Sequence, residues 1–187
     1  MGVIEELRDD FRFYRNLKPT QGTLETLTDR CFLVSANYRF GYWACRVRTP
    51  AVGKLLRLTY LLSNALISSR NGTNIRSGAV IGRRFEVHTT FGIEIADGVI
   101  IGDDCSINGG VCVANRANGR GEGVPRIGNH VTLGLGCKVL GGITIGDNVS
   151  VGANAVVLRD VPPDHLAVGV PAQNKPKRTD RDTTVSV

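Results

Sequence analysis

IGNHVTLGLGCKVLGGITIGDNVSVGANAV, residues 127–156, divides into sixes without remainder. An aliphatic residue opens each unit (Ile127, Leu133, Val139, Ile145, Val151) and recurs at Val157. Gly follows it in four of the five units, and a small or β-branched residue holds the fifth place (Val131, Cys137, Ile143, Val149, Ala155). Working back towards the N-terminus, the same frame reads IRSGAV, IGRRFE and VHTTFG from Ile75. After a two-residue slip it resumes as IADGVI, IGDDCS, INGGVC and VANRAN from Ile95. The segment GRGEGVPR separates that block from Ile127.

A period of six is neither helical nor simply alternating, which excludes an ordinary amphipathic helix or strand. It is the signature of a parallel β-helix, in which three sixes make one coil and each coil stacks on the last. The opening aliphatics then point inward and form columns, the small fifth residues fill the tight corners, and Gly supplies the corner torsions. The fold expected is mainly β, with an N-terminal α-helical segment. Nineteen of the 23 glycines lie from Gly72 onward. Three regions follow: helices over 1–71, the β-helix over 72–173 with a loop near 114–126, and a polar tail over 174–187.

In the first region, residues 3–16 place acids in the first turn and arginines later, which suits a helix dipole. Thr23 reads as the N-cap of a second helix running towards Trp43, and residues 52–68 as a third. The chain has 187 residues, 42% of them hydrophobic and 21% charged, enough for a real core. Five cysteines with no CxxC pair, and acids rather than an apolar run at the N-terminus, lead us to expect a cytoplasmic protein.

Three histidines are present: His88, His130 and His165. His88 sits directly before the two-residue slip, where a bulge re-aims side chains, and a neutral imidazole there suits general-base chemistry. A zinc hydro-lyase would need all three histidines to converge. Their placement in separate blocks makes that a poor match, and no metal is expected. Ten basic residues lie between Asp29 and Glu86 with no acid among them. They could dock on an anionic membrane surface or serve packing between subunits; no nucleic-acid-binding motif accompanies them, so that partner is not expected.

IRSGAVIGRRFEVHTTFGIEI and VTLGLGCKVLGGITIGDNVSVGANAVVLRDVPPDHLAVGVPA resemble the hexapeptide-repeat acyltransferases, in the serine acetyltransferase branch. They are more similar still to the O-acetyltransferases of colanic acid and capsular polysaccharide biosynthesis, which share the IGRRF…H run and the Asn115–Arg116 pair. The resemblance implies a left-handed β-helix, acetyl-CoA as co-substrate, a homotrimer and a histidine base at His88. In the resembling enzymes a carboxylate orients that base; the matching position is Asn74, with Glu86 as a substitute orienter. Position-matching also implies a cofactor groove of Asn115, Arg116, Gly134, Leu135, Gly152 and Ala153, with Lys175, Lys177 and Arg178 near the CoA phosphates. Where serine acetyltransferases carry charged residues that grip an amino acid, this chain reads Val87, Gly123 and Val124. A zwitterion buried without partners binds poorly. The acceptor expected is therefore a hydroxyl of a sugar or polysaccharide repeat unit, with serine as the alternative.

Overall fold

The computed structural model describes residues 3–17, 20, 22–116 and 123–177. Four helices come first: α1 (Val3–Leu17), α2 (Thr23–Thr28), α3 (Arg30–Ala44) and α4 (Pro50–Asn71). The second expected helix is thus two, and Asp29 divides them. Its backbone is extended, and its carboxylate accepts from the N–H groups of Cys31 and Phe32, capping α3. Pro50 opens α4, where its missing N–H costs nothing, and Gly72 ends it with φ 64°.

Among the described residues fifteen short strands follow, on three faces. One face stacks β1 (Asn74–Ile75), β4 (Glu94–Ile95), β7 (Cys112–Ala114), β10 (Lys138–Leu140) and β13 (Val156–Val157). The next holds β2 (Val80–Ile81), β5 (Ile100–Ile101), β8 (Arg126–Ile127) and β11 (Thr144–Ile145). The third holds β3 (Glu86–Val87), β6 (Ser106–Ile107), β9 (Thr132–Leu133), β12 (Ser150–Val151), β14 (His165–Val168) and β15 (Gln173–Pro176). Every pairing is parallel except β14 with β15, which turns back and closes the far end.

The register makes the core. Ile75, Ile95, Val113, Val139 and Val157 stack on one face; Ile81, Ile101, Ile127 and Ile145 on the next; Val87, Ile107, Leu133, Val151 and Ala167 on the third. All are buried. Asn74 pairs with Glu94, Glu94 with Cys112, Cys112 with Lys138 and Lys138 with Val156, so successive coils advance 20, 18, 26 and 18 residues. The two extra residues of the first coil fall in the corner just after His88; the eight extra of the third form the loop before β8. Val161 bridges Ile145 and β14 continues the third face, within the expected 72–173.

One corner column takes left-handed torsions without glycine: Arg84, Asp104, His130, Asn148 and Asp164, at φ 53–59°. Asp104, His130, Asn148 and Asp164 each donate an N–H to the coil before, as His130 does to Asp103, and Arg84 of the first coil donates instead to Asp10 of α1. Asp and Asn tolerate this region.

Strands two residues long leave free edges, and the helices cover those of the first coil. Tyr14 of α1 accepts from the Val87 N–H at 2.7 Å. Tyr38 of α3 accepts from Ile81 N–H at 3.1 Å and donates to Ala79 C=O at 2.9 Å. Tyr60 of α4 donates to Ile75 C=O at 3.4 Å. Each face therefore receives one buried tyrosine hydroxyl from a different helix. Arg39, almost fully buried, adds a clamp: it binds Asp10 at 2.9 Å and donates to the carbonyls of Ile81 and Gly82.

Candidate active site

His88 follows β3 and donates its backbone N–H to Ile107 C=O at 2.9 Å. Because Val87 points into the core, His88 points outward, and its side chain is 45% exposed. Nε2 lies 3.4 Å from an oxygen of Glu86, two residues back on the same outer face, and Glu86 is 17% exposed. That separation is long for a hydrogen bond and short enough for a carboxylate to orient an imidazole.

Two further groups hold the backbone here. The Tyr14 hydroxyl takes the Val87 N–H, and the Cys31 thiol donates to His88 C=O at 3.4 Å. Burial pushes the Tyr14 phenol well above its usual range, so it stays a neutral partner. No spacing in the sequence could have revealed either residue, because they reach this backbone, at Val87 and His88, from 73 and 57 positions away.

The extra corner residues sit beyond the imidazole. Phe91 is 55% exposed and packs over Gly109, whose N–H donates to Thr89 Oγ1 at 2.6 Å. A Cβ at Gly109 would come within 2.5 Å of the Phe91 ring.

Asn74 lies on another face of the prism, in β1. Its amide donates to Glu94 Oε1 at 3.3 Å, while the His88 ring lies against Glu86, so the structure brings together His88 and Glu86 rather than His88 and Asn74. Asn115 and Arg116 follow the strand β7 and are exposed; the Arg116 Cβ lies 3.8 Å from where a Cβ on Gly141 would sit. Gly134 and Gly152 follow the paired strands β9 and β12, one coil apart. A Cβ on Gly134 would lie 2.6 Å from Val151 O, and one on Gly152 2.8 Å from Val168, so coil stacking alone requires glycine at both. Leu135 and Ala153 are exposed beside them. Lys175 lies in β15 and the Lys177 ammonium donates to Asn148 at 3.2 Å; Arg178 lies outside the described residues.

The other histidines are elsewhere. His130 occupies the left-handed corner, 3.9 Å from Asp104, and His165 Nδ1 lies 2.7 Å from Pro163 O. Among the described residues no three His, Cys, Asp or Glu side chains form a group that could hold a metal. No described helix is long and apolar enough to cross a membrane.

Residues 125–159 match the family model described as bacterial transferase hexapeptide (six repeats). A serine acetyltransferase of Synechococcus elongatus is 34% identical over 174 residues, covering 91% of this chain and 68% of that protein. The chain belongs to the serine acetyltransferase family. A serine acetyltransferase of Staphylococcus aureus is 30% identical over 172 residues, covering 91% of this chain and 77% of its own length. The solved structure of a soybean serine acetyltransferase complexed with serine superimposes with a TM-score of 0.77 at 28% identity, over 93% of this chain and 70% of that one. Membership of the serine acetyltransferase family makes this chain an acyltransferase.

These relatives overturn the expected sugar or polysaccharide acceptor. That expectation rested on reading Val87, Gly123 and Val124 as replacements for amino-acid-gripping residues. The first coil carries 20 residues instead of 18, and Gly123 and Val124 follow a loop of non-repeat length. Val87 points into the core and so says nothing about an acceptor, and matching Gly123 and Val124 across their loop shifts the register, so uncharged residues at these positions do not exclude an amino acid.

Proposed function

We propose that this chain transfers the acetyl group of acetyl-CoA to the hydroxyl of serine, with His88 as general base. What carries the reading is the 34%-identical serine acetyltransferase matched along nine-tenths of the chain, together with an outward imidazole beside a carboxylate at a widened corner. With Nε2 turned to Glu86, Nδ1 takes the proton of the acceptor hydroxyl. The alkoxide attacks the thioester carbon, the C–S bond breaks, and the imidazolium returns its proton to the departing CoA thiolate. Glu86 stabilises the imidazolium between those two steps, since a carboxylate favours the charged ring. Asn74, engaged with Glu94, holds the neighbouring face.

The thin pantetheine arm of acetyl-CoA runs past Gly134, Leu135, Gly152 and Ala153, where small side chains let it approach the wall. Asn115 and Arg116 lie over it, Arg116 meeting a phosphate as an ion pair. The prism winds left-handed, as its resemblance to the family implies, and three chains close around a three-fold axis with sites between neighbours.

The test is free-thiol release from acetyl-CoA with L-serine, against L-threonine, nucleotide sugars and oligosaccharides. Serine-dependent release that falls at least a hundredfold in His88→Ala, and about tenfold or more in Glu86→Gln, is the expected result. Full turnover by His88→Ala would remove the base, and turnover with a sugar but not with serine would remove the acceptor.

A further inference from the structure

The corner after His88 is longer than the same corner of the later coils, and an aromatic ring occupies the extra length. The N–H groups of His88, Asn108, Gly134 and Gly152 donate to Ile107, Leu133, Val151 and Ala167, so these four hold equivalent places in successive coils. At the next place round the corner, the carbonyls of Phe91, Gly109 and Leu135 accept from Gly110, Gly136 and Asn154. In the second and third coils the two places adjoin. In the first, Thr89 and Thr90 come between them and set Phe91 beyond the imidazole.

Phe91 is held there without being buried. From Asn74 to Val157, the described large apolar side chains that stand exposed are Val80, Phe91 and Leu135, and Phe91 is the most exposed. Its backbone is nevertheless fixed on both sides. The Phe91 C=O accepts from Gly110 N–H at 2.7 Å, and the next N–H, of Gly92, donates to Asn71 C=O at 2.8 Å. Thr73 Oγ1 donates to Thr90 C=O at 2.6 Å, and Thr89 Oγ1 accepts from Gly109 N–H. The ring lies along the edge over the second coil, 2.5 Å from where a Cβ on Gly109 would sit and 3.7 Å from one on Gly110. Coils stack about 4.8 Å apart, so a ring mounted in the first coil takes up the side-chain space of the second. A rigid aromatic face presented to water suits an apolar ligand group.

Two groups meet at a base that serves acyl transfer, and they differ in polarity. An amino-acid acceptor brings an ammonium and a carboxylate, whose charges need hydrogen-bonding partners that a phenyl ring lacks. The acyl group brings a hydrocarbon tail. A thioester arm that climbs the edge past Gly152 and Gly134 arrives at the level of Gly109, one coil short of His88, and meets the ring there.

On the acyl-transfer reading above, on which this rests, we infer that Phe91 sets the length of the acyl group. The ring closes the head of the edge beside the base. A methyl group fits against it with the thioester carbon at the acceptor hydroxyl, and a three-carbon tail collides with it.

Free-thiol release from acetyl-, propionyl- and butyryl-CoA with L-serine tests this on the full chain. The wild type should prefer acetyl- to butyryl-CoA by at least about a hundredfold in kcat/KM, and Phe91→Ala should cut that ratio at least about tenfold. The ratio is read, not the acetyl rate. An unchanged ratio overturns the inference. So does a changed preference between serine and threonine at constant acyl ratio, which would assign the ring to the acceptor. Phe91→Leu should give an intermediate ratio and carries the test if Phe91→Ala does not fold. If no thioester turns over with serine, the acceptor reading fails and titration calorimetry decides the role of the ring by itself. The wild type should then bind acetyl-CoA at least about tenfold more tightly than butyryl-CoA, and Phe91→Ala should level the two. Equal affinities in the wild type, or no binding of either thioester, overturn it.

Discussion

Asp10 is the residue whose loss should damage this fold most for its size. Its carboxylate is fully buried and accepts from Arg39 Nε at 2.9 Å, Ser35 Oγ at 3.2 Å and the Arg84 N–H at 3.0 Å. It therefore ties α1 and α3 to the corner that leads into β3. Asp10→Ala strands the Arg39 guanidinium, 1% exposed, with Glu6 at 3.4 Å and the carbonyls of Ile81 and Gly82 as its remaining partners. Removing one partner of a buried ion pair costs about 3–5 kcal/mol, and the partly exposed Glu6 offsets only part of that. In a chain of this size each kcal/mol moves the melting temperature by about 2–4 °C, so the variant should melt roughly 6–20 °C lower. Asp10→Ala/Arg39→Met removes both charges and should recover part of the loss. It cannot recover all of it, because the Ile81 and Gly82 carbonyls and the Arg84 N–H then lack partners, at about 1–3 kcal/mol each. Urea denaturation of the wild type, the two single variants and the double variant closes the cycle. Single losses that simply add, or an Asp10→Ala variant within about 1 kcal/mol of the wild type, would refute the claim that the pair anchors the helices.

Two further outcomes follow from titration and burial. The hydrogen bond and charge of Arg84 hold the Asp104 carboxyl below the usual carboxylate range. A carboxyl lowered by folding stabilises above its unfolded value and loses that contribution as pH falls through its folded one. The pair is partly exposed, so Asp104→Asn should cost only about 0.2–1 kcal/mol at pH 7 and progressively less as pH falls below the usual carboxylate range. Urea midpoints at pH 7 and in acid measure this, and a difference that persists or grows in acid contradicts it. Burial pushes the Cys105 thiol up to about 11 and the Cys137 thiol up to about 12. At pH 8 iodoacetamide should leave both unmodified in the native protein and label them on unfolding. Rapid native labelling at either, seen by mass spectrometry, would mean that the core columns open.

The β-helix was legible because its code is redundant. Ile127, Leu133 and Val139 each repeat one coil on, so one unit without Gly in second place, such as VLGGIT, does not break the frame. The helices were less legible because helical periodicity runs on through Asp29, and only the capping bonds to Cys31 and Phe32 show the break. The tyrosine cap was not legible at all. Tyr14 meets Val87 across 73 residues and Tyr38 meets Ile81 across 43, and a hydroxyl bonded to a strand edge leaves no period to find. At the site, the outward direction of His88 followed from the six-residue frame, whereas its nearness to Glu86 depended on two side chains of one strand leaning together. The acceptor was misread because Val87 faces the core rather than a substrate, and because Gly123 and Val124 follow a loop where the repeat does not fix which residue faces which.

The helical region also takes part in the geometry of the candidate base. A strand inside a β-helix is held at both edges by neighbouring coils, and β3 has such a neighbour only in β6. His88 is thus fixed on one side by Ile107 C=O; on the other, the Tyr14 hydroxyl takes the Val87 N–H and the Cys31 thiol meets His88 C=O. Those two side chains come from α1 and α3, which are joined to each other by Asp10–Arg39 and by the edge-to-face rings of Tyr14 and Phe32. A displacement of α1 therefore removes the partner of Val87 before it disturbs any core column, because the columns are stacked by the coils above. The backbone that carries the imidazole is consequently coupled to the helices. A β-helix trimmed of residues 1–71 would keep its aliphatic stacks while releasing the backbone on which its base is mounted.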